Sequence, residues 1–383
     1  MIREPISVLY LSVNAGLGGA ERTVLNLLRC HDRRKVRPLL CTFRDGRLVC
    51  EARMLGIPAW VIPARRFRNL VNLWQTTSAI RAIVRREAVD IVHSAMALGH
   101  LYGSLARAGT RAKAVWFQQG LVGKPSSVDR LATLVPADLI FANSEATAAL
   151  QRSLAPFLGN VRVVHLGVDL REFSLARLGE REEIRRRLDI KPDTVVVGVP
   201  GRFEPRKGQH VLIEAAKLLR EEFPEVTYLL IGDAIFGLGL EYARQLRSLV
   251  RDWGLEHQVR FVGFQDDVAG ILAGVDVVVH ASTSPEPFGL VIVEGMAMAR
   301  PVVASDGGGA REIVVEGMTG FLTPMGEARA LAQRLRELLR DAELRERMGA
   351  AGRSRVEARF SADGMARTIE VHYAEVLDGA CRR

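Results

Sequence analysis

Hydrophobic and polar positions in the first half of the chain alternate between short apolar runs and longer segments with helical spacing. The apolar runs, bounded by turn residues, are ISVLYLSV, VDIVHS, AVWFQQG, ADLIFANS and VRVVHLG. Helical segments such as AERTVLNLLRC and EATAALQRSL follow several of them. Strands that alternate with helices in this way predict parallel βαβ units with right-handed crossovers. We therefore expect one doubly wound α/β domain.

The same pattern starts again after the highly charged stretch SLARLGEREEIRRRLDIKPD, which contains no strand-like run. The second series of apolar runs is TVVVGVPG, VTYLLIGD, VRFVGF, VDVVVHAS and PVVAS. We place a linker near Leu170 to Asp193 and predict two tandem Rossmann-like domains, residues 1–172 and 173–360. A helical pattern within residues 361–383 predicts a C-terminal helix that packs back on the first domain.

The length and composition agree with two soluble globular domains. A chain of 383 residues is long for one hydrophobic core, and 48% hydrophobic with 25% charged residues is typical of a globular protein. The first apolar run, Ile6 to Val13, is too short for a signal peptide or a membrane span, so we expect a cytoplasmic protein. The four cysteines form no CxxC pair, which predicts neither a disulfide scaffold nor a metal site.

The charge favours an anionic partner without choosing one. The formal net charge is +9, which suits nucleic acid, an acidic membrane face or a phosphorylated substrate. Aromatic residues make up only 6% of the chain, and the sequence contains no zinc finger and no RNA-recognition motif. We therefore expect no nucleic-acid partner.

Two basic residues follow the first strand of the second series. The segment VPGRFEPRKGQHV places Arg202 and Lys207 in a loop between a strand and a helix. Ligands of open α/β sheets bind beyond the carboxyl ends of the strands, and a guanidinium with an ammonium suits a diphosphate. A solvated basic loop is the alternative interpretation of this segment.

A second candidate segment, SPEPFGLVIVEGMAMA, runs from a loop into a helix. The backbone N–H groups near Phe288, Gly289 and Leu290 would form an anion site at the helix start. Glu286 lies just ahead of it, and Glu294 lies eight positions later (294 − 286). Carboxylates accept hydrogen bonds from adjacent hydroxyl groups, so this pair could hold the two sugar-like ends of one ligand. The alternative is a solvated loop residue and a surface helix residue.

Two glycine-rich turns are less specific. Gly307, Gly308 and Gly309 follow the strand PVVAS and fit either a ligand contact or a tight turn. Gly18 and Gly19 follow the first strand, but the third glycine of a dinucleotide fingerprint is missing and Glu21 occupies the helix start. A phosphate or a sugar near that helix remains a plausible ligand.

Several segments, in this order along nearly the whole chain, resemble family 4 of the retaining glycosyltransferases, which have two Rossmann domains facing across a cleft (the GT-B fold). They are GGAE, GVDLREF, GRFEPRKG, PEPFGLVIVEGMAMARPVVAS and GGAREIVVEGMTGFL. Glu286 and Glu294 match the Glu-x7-Glu signature of that family.

The resemblance implies that the C-terminal domain binds a nucleotide-sugar donor and the N-terminal domain binds the acceptor. Residues matching Arg202 and Lys207 contact the diphosphate, and the amides of Phe288, Gly289 and Leu290 lie near the phosphate and the transferred sugar. The equivalent of Glu294 binds the ribose, that of Glu286 binds the donor sugar, and the main chain of RFVGF frames the base. Gly18 and Gly19 are donor-binding candidates from the first domain.

One element departs from the family pattern. Many relatives carry a histidine near the donor sugar after a first-domain strand, where VWFQQG offers Gln118 and Gln119. We take Gln119 as the replacement, because an amide hydrogen-bonds a sugar hydroxyl although it cannot carry a proton. We expect His93 and His100 to be structural or to lie on the acceptor side rather than to be catalytic.

The implied reaction is the transfer of a hexosyl-type sugar to a hydroxyl acceptor with retention of configuration. In a front-face route, the leaving diphosphate takes the acceptor proton while Arg202 and Lys207 stabilise its charge. We expect no cofactor and no metal. A sugar-nucleotide epimerase and an inactive nucleotide-sugar-binding homologue remain alternatives, and an NAD-dependent oxidoreductase is a more distant one.

We expect the acceptor to be a glycan, a lipid-linked molecule or a small molecule. The segment RRFRNLVNLWQTTSAIRAIVRR predicts an amphipathic helix with Leu70, Leu73, Trp74, Ile80 and Val84 near helical spacing. The arginines at its ends are Arg65, Arg66, Arg68, Arg81, Arg85 and Arg86. Such a helix suits peripheral contact with an anionic membrane, although a core-facing stripe with a solvated basic face is the commoner case.

Overall fold

The structure is a computed structural model that describes residues 5–16, 18–64, 69–120, 123–154, 160–234 and 239–379. It contains two compact units, residues 1–167 with 362–383, and residues 168–361. The predicted boundary, after residue 172, lies five residues beyond this division (172 − 167). Each unit contains one sheet in which every paired neighbour is parallel.

The first unit is a doubly wound domain in which the strands of the described residues have the order β3-β2-β1-β4-β5-β6-β7. Its strands are β1 (Ile6–Ser12), β2 (Val36–Thr42), β3 (Ala59–Val61), β4 (Ile91–Ala95), β5 (Lys113–Gln118), β6 (Leu139–Ala142) and β7 (Val161–Val163). Its helices before residue 167 are α1 (Gly19–Cys30), α2 (Arg47–Met54), α3 (Leu70–Arg86), α4 (Met96–Arg107), α5 (Ser127–Thr133) and α6 (Glu145–Leu154).

Strands β2 and β3 were not among the apolar runs of the sequence, for a physical reason. The sequence of β2, VRPLLCT, contains Arg37 and Pro38, which break an apolar run. Proline also lacks the N–H that a strand uses for pairing, so it argues against an inner strand. Strand β3 has only three residues, all half-buried, and leaves no pattern to detect.

Outside the undescribed residues 235–238, the strands of the second unit have the order β10-β9-β8-β11-β12-β13. Its strands are β8 (Val196–Pro200), β9 (Thr227–Ile231), β10 (Val259–Gly263), β11 (Val277–His280), β12 (Val302–Ser305) and β13 (Gly320–Thr323). Its helices are α7 (Arg181–Arg187), α8 (Gln209–Leu219), α9 (Leu240–Asp252), α10 (Val268–Ala273), α11 (Leu290–Ala297), α12 (Ala310–Ile313), α13 (Ala328–Arg340) and α14 (Ala342–Arg359). The strand order reverses between β8 and β11, where ligands of this topology bind.

The stretch predicted as a linker is folded into the second unit. Residues Leu175–Glu180 form a 3-10 helix that leads into α7. Arg181 and Arg185 each donate a hydrogen bond of 2.6 Å to the carboxylate of Asp276, which also accepts from the backbone N–H of Val196. Two charged residues of this stretch, Arg181 and Arg185, are therefore bound at the beginnings of β8 and β11.

The C-terminal helix, α15 (Ala362–Leu377), belongs to the first unit. Its Tyr373 hydroxyl lies 2.9 Å from the Tyr10 hydroxyl and 2.5 Å from His93 Nδ1. Its Glu370 accepts from His31 Nδ1 at 2.9 Å. Buried hydrogen bonds thus attach the end of the chain to β1, β4 and the end of α1.

Candidate active site

Two loops meet where the strand order of the second unit reverses. Strand β8 ends at Pro200 and strand β11, its neighbour in the sheet, ends at His280. The loop after β8 carries Arg202 and Lys207, and the loop after β11 carries Glu286. Parallel neighbours place their carboxyl ends at the same edge, so the fold brings these predicted residues together.

A glycine allows the two loops to touch. Gly208, between Lys207 and α8, has a φ of +69°, and a Cβ there would lie 1.8 Å from the carbonyl oxygen of Ala281. Only glycine fits both that backbone conformation and that approach. The first residue of α8, Gln209, donates from Nε2 to the carbonyls of Gly201 and Arg202 at 3.3 and 3.0 Å. The loop after β8 is thus fixed at both of its ends.

The carboxylate of Glu286 is the centre of the site. Its Oε1 accepts hydrogen bonds from Lys207 Nζ, from Ser282 Oγ at 3.0 Å and from Arg206 Nη1 at 3.4 Å. Its Oε2 faces His280 Nε2 at 3.7 Å and receives no hydrogen bond from the described residues. One carboxylate oxygen is therefore saturated, and the other has lone pairs left for a ligand.

Glu286 is ionised although it is buried. Only 7% of the residue is exposed, so the interpretation as a solvated loop residue is wrong. Burial raises the pKa of this carboxyl, but the facing His280 together with the charge and the hydrogen bond of Lys207 outweighs that effect and holds the pKa well below its usual range. The centre of the site is thus an ion pair of Glu286 with Lys207, which Arg206 and Ser282 support with further hydrogen bonds.

Arg202 lies at the exposed side of this cluster, with 48% of its side chain accessible. Its Nη2 is 3.1 Å from Glu204 Oε1, and Glu204 Oε2 accepts from Arg206 Nε at 2.7 Å. Arg202, Arg206 and Lys207 are therefore linked through two glutamates, and together they present three cations on one loop.

The loop after β11 enters α11 through Gly289, whose φ of +108° is rare for other residues. Phe288 is 2% exposed and packs edge-on against Phe360, with ring centroids 6.0 Å apart. Leu290 begins the helix, and Glu294 is 6% exposed on it, so the interpretation of Glu294 as a surface residue is wrong. Burial of two glutamates on one loop and helix is typical of a functional site.

The glycine run after β12, residues 307–309, packs against the loop that follows β11. A Cβ on Gly308 would lie 1.9 Å from the carbonyl oxygen of Glu286, and one on Gly309 would lie 2.6 Å from Phe288 Cα. The Gly309 N–H donates to the carbonyl of Glu286 at 3.0 Å. The close approach that this glycine run permits is therefore an approach of backbone to backbone, which shapes the segment from Glu286 to Phe288.

The three donor-binding candidates of the first unit lie at the carboxyl ends of its strands. Gly18 is the N-cap of α1, and a Cβ there would lie 2.7 Å from Oε2 of Glu21, whose carboxylate thus lies beside this helix start. Gly19 is the first residue of α1. Gln119 follows β5 and is 8% exposed, and its side-chain amide has no hydrogen-bond partner in the described part of the chain. Their donor-binding role stays a prediction.

The two histidines of the first unit lie in its interior. His93 is 1% exposed, and burial with the nearby His31 lowers its pKa to about 3. His100 is fully buried, stacks on Trp116 with centroids 4.7 Å apart and bonds the carbonyl of Val135. Burial lowers its pKa to about 4. Their buried positions and contacts indicate a structural role for both histidines.

The sequence interpretation missed three contributors to the site: Arg206, Ser282 and His280. Arg206 stands beside Lys207 in the same basic loop, so the signal for it was present. His280 and Ser282 are polar residues at the end of the apolar run VDVVVHAS, which is where a strand meets the ligand edge. A search of every strand end for polar residues would have found them.

The part of the chain that the structure describes shows neither a metal cluster nor a membrane span. Within the described ranges, no three His, Cys, Asp or Glu residues lie together as metal ligands. The described helices also include none that is long and apolar enough to cross a bilayer. Metal independence itself stays a prediction.

Comparison with known families identifies the family of the chain. The family model Glycosyltransferase Family 4 matches residues 17–172, and Glycosyl transferases group 1 matches residues 180–355. A D-inositol 3-phosphate glycosyltransferase of Streptomyces avermitilis is 32% identical over 315 residues, which are 77% of this chain and 67% of that protein. The chain belongs to glycosyltransferase family 4. Its GT-B architecture of two parallel-sheet α/β domains is likewise confirmed.

Other members of family 4 match over shorter or comparable lengths. A GDP-mannose-dependent phosphatidylinositol monomannoside mannosyltransferase of Corynebacterium glutamicum is 30% identical, over 75% of this chain and 76% of that protein. The chain spans about half the length of some curated relatives, namely 53% of the putative glycosyltransferase EpsD of Bacillus subtilis and 50% of the lipopolysaccharide core glycosyltransferase LpsE of Rhizobium meliloti.

Solved structures share this fold over nearly the whole chain. Anabaena HepE in complex with UDP and glucose has a TM-score of 0.86 at 28% identity and covers 96% of this chain and 99% of its own. A sucrose-phosphate synthase of Thermosynechococcus elongatus, at 22% identity and a TM-score of 0.80, shares the fold.

Proposed function

We propose that this protein transfers a hexosyl-type sugar from a nucleoside diphosphate sugar to a hydroxyl group of an acceptor, with retention of configuration and without a metal ion. The observation that carries the proposal is the ionised, buried Glu286 in contact with Lys207 and Arg206 at the reversal point of the second sheet. Family membership supports the class of reaction.

The cations of the loop after β8 would bind the diphosphate. Arg202 is half exposed and offers a planar fork, whereas Lys207 is 20% exposed and offers a mobile point charge. Both neutralise negative charge that grows on the leaving diphosphate as its bond to the sugar breaks. The backbone N–H groups at the start of α11, from Phe288 to Leu290, would add a neutral anion site.

The glutamates would bind the sugars of the donor. Glu286 Oε2, which no described residue hydrogen-bonds, would accept from hydroxyls of the transferred sugar. Glu294 would accept from the ribose. In the front-face route, the bond between the sugar and the diphosphate breaks as the bond to the acceptor oxygen forms on the same face, and the acceptor proton passes to the departing diphosphate oxygen. The protein supplies position and electrostatic stabilisation.

UDP-sugars are the donors to test first. HepE, which matches this chain in fold over nearly its full length, was crystallised with UDP, with UDP and glucose, and with UDP-glucose. The mannosyltransferase relative is named for GDP-mannose, so GDP-sugars form the second set.

The acceptor would be a glycan or a lipid-linked sugar at an anionic membrane. Leu70, Val71 and Trp74, on the first turns of α3, are 77%, 66% and 68% exposed, which contradicts a fully core-facing stripe. The basic residues Arg65, Arg66 and Arg68, invoked with them, lie outside the described residues. We place the reaction at the cytoplasmic face of the membrane, where the apolar side chains would enter the lipid interface.

Vesicle flotation tests the membrane contact. The protein should float with vesicles that contain anionic phosphatidylglycerol, and Leu70→Ser with Trp74→Ser should abolish flotation. Leu134→Ser, which changes another exposed leucine at 77% accessibility, is the matched control and should leave it unchanged. Absence of flotation by the unchanged protein would remove the membrane partner.

A donor panel tests the reaction itself. Purified protein should release nucleoside diphosphate slowly from one donor, in EDTA and without acceptor, and Lys207→Ala with Glu286→Ala should abolish release. Conversion of the donor into a different nucleotide-sugar would instead indicate the epimerase, and binding without turnover in any acceptor screen would indicate an inactive homologue. NMR of the product's anomeric centre decides retention.

A further inference from the structure

Two buried polar residues stand behind Glu286 at the end of β11. His280, the last residue of the strand, is 5% exposed, and Ser282 is 1% exposed. Ser282 Oγ lies 3.0 Å from Glu286 Oε1 and 3.2 Å from His280 Nε2. A strand that is otherwise apolar, VVVH, thus ends in a chain of hydrogen bonds that leads to the carboxylate.

The direction of each hydrogen bond follows from counting protons. The hydroxyl of Ser282 has one hydrogen, which it donates to the ionised carboxylate, so its oxygen must accept from His280 Nε2–H. The other ring nitrogen, Nδ1, is buried and has no partner among the described residues. Buried polar atoms are nearly always paired, and an unpaired one calls for an explanation. The His280 ring is held from its Nε2 side alone, the side that faces Glu286.

This arrangement assigns different tasks to the two oxygens of Glu286. Oε1 receives Lys207, Arg206 and Ser282, whereas Oε2 faces only the Nε2 edge of His280, at 3.7 Å. Without Ser282 and His280, the carboxylate could rotate about its last bond and offer both oxygens to the two cations. The buried pair lies where it would oppose that rotation.

We propose that His280 and Ser282 are positioning residues that fix the carboxylate of Glu286, with Oε1 toward the cations and Oε2 toward the transferred sugar. The inference rests on the proposed function, because it assigns the free oxygen to a sugar hydroxyl. Neither residue needs to touch the substrate.

The proposal predicts a loss of affinity that is specific for the sugar. UDP and UDP-glucose share the nucleotide and the diphosphate, so their dissociation constants separate the two parts of the donor site. Ser282→Ala should raise the dissociation constant of UDP-glucose by about tenfold, the effect of one lost hydrogen bond to a charged group. The same variant should change the dissociation constant of UDP by less than about twofold. His280→Phe, which keeps a ring but removes the donor, should produce the same pattern.

Three further variants separate positioning from a general structural effect. Ser282→Thr keeps the hydroxyl and should restore the affinity for UDP-glucose. Ser284→Ala alters a serine of the same loop for which the structure gives no hydrogen bond, and should match the unchanged protein. In a Glu286→Gln background, Ser282→Ala should add no further loss, because a positioning residue acts only through its target.

The outcomes distinguish this inference from the proposed function. If the unchanged protein binds neither UDP nor any other nucleoside diphosphate or its sugar conjugate, the proposed function fails and the positioning role fails with it. If the unchanged protein binds both ligands but Ser282→Ala weakens them equally, or weakens neither, only the positioning role is overturned. An additive loss in the Glu286→Gln background would also overturn it.

Discussion

A Tyr-to-Phe substitution at Tyr373 should destabilise the first unit, because the hydroxyl links a buried chain of hydrogen bonds. Ionised Glu370 accepts from His31 Nδ1–H, so the neutral His31 accepts at Nε2 from Tyr10 O–H at 2.5 Å. The Tyr10 oxygen then accepts from Tyr373 O–H, whose oxygen accepts from His93 Nδ1–H. Four buried hydrogen bonds thus connect Glu370 to His93 through His31 and the two tyrosine hydroxyls.

The size of the destabilisation follows from the hydrogen bonds that the substitution removes and the buried group that it leaves unpaired. Removing the Tyr373 hydroxyl breaks bonds of 2.9 and 2.5 Å and leaves the His93 N–H buried without an acceptor. A typical bond contributes about 1 kcal/mol, and a stranded buried donor costs about 1–3 kcal/mol. We expect a loss of about 2–3 kcal/mol in the free energy of unfolding of the first unit, equivalent to about 4–12 °C in Tm.

Tyr228 provides a matched control. It is also fully buried, in β9 of the second unit, but its hydroxyl has no hydrogen-bond partner within the described ranges. Tyr228→Phe removes an unsatisfied polar atom and should leave stability unchanged or raise it by about 1 kcal/mol. Differential scanning calorimetry of the full chain should therefore show a lowered transition for Tyr373→Phe only. Equal behaviour of the two variants would refute the hydrogen-bond argument.

Two other predictions concern stability and the shape of the site. The pKa of His93 falls from 6.5 to about 3 in the folded protein, and that of His100 falls to about 4. Between pH 6.5 and 4, these histidines therefore bind protons in the unfolded protein but stay neutral in the folded protein. The free energy of unfolding should be highest above pH 6.5 and should fall toward pH 4, by up to about 1.4 kcal/mol per pH unit for each histidine. A flat stability profile from pH 7 to 4 in urea titrations would contradict this. Gly208→Ala should abolish donor turnover and lower Tm, because a Cβ cannot lie 1.8 Å from the carbonyl oxygen of Ala281. Gly254→Ala is the control, since Gly254 also has a positive φ but has open space around it. This variant should lose only about 1 kcal/mol in the free energy of thermal unfolding and should keep donor turnover.

The sequence predicted the fold well where elements are both apolar and periodic. Strands such as β1, β8 and β11 are fully buried and read as continuous apolar runs. The linker was placed in a charged stretch without a strand-like run, whereas Arg185 of that stretch is paired with Asp276 inside the second unit. A single sequence shows charges but not their partners.

The site was predicted in part for a related reason. Arg202, Lys207 and Glu286 could be found because strand ends meet at one edge of a parallel sheet. The direct contact of Lys207 with Glu286, and the shared bonding to Arg206 and Ser282, depend on the close approach of two loops at Gly208. Such an approach between residues about eighty positions apart leaves no local pattern.

The central claim is that the cations beside Glu286 bind the diphosphate of the donor, and calorimetric titration with UDP tests it most directly. Lys207→Met should lower the affinity for UDP by about tenfold or more, as expected for a lost charge-assisted contact. Lys191→Met, which alters an exposed lysine paired with Glu225, should bind as the unchanged protein does. Equal affinity of the Lys207→Met variant and the unchanged protein would contradict the account.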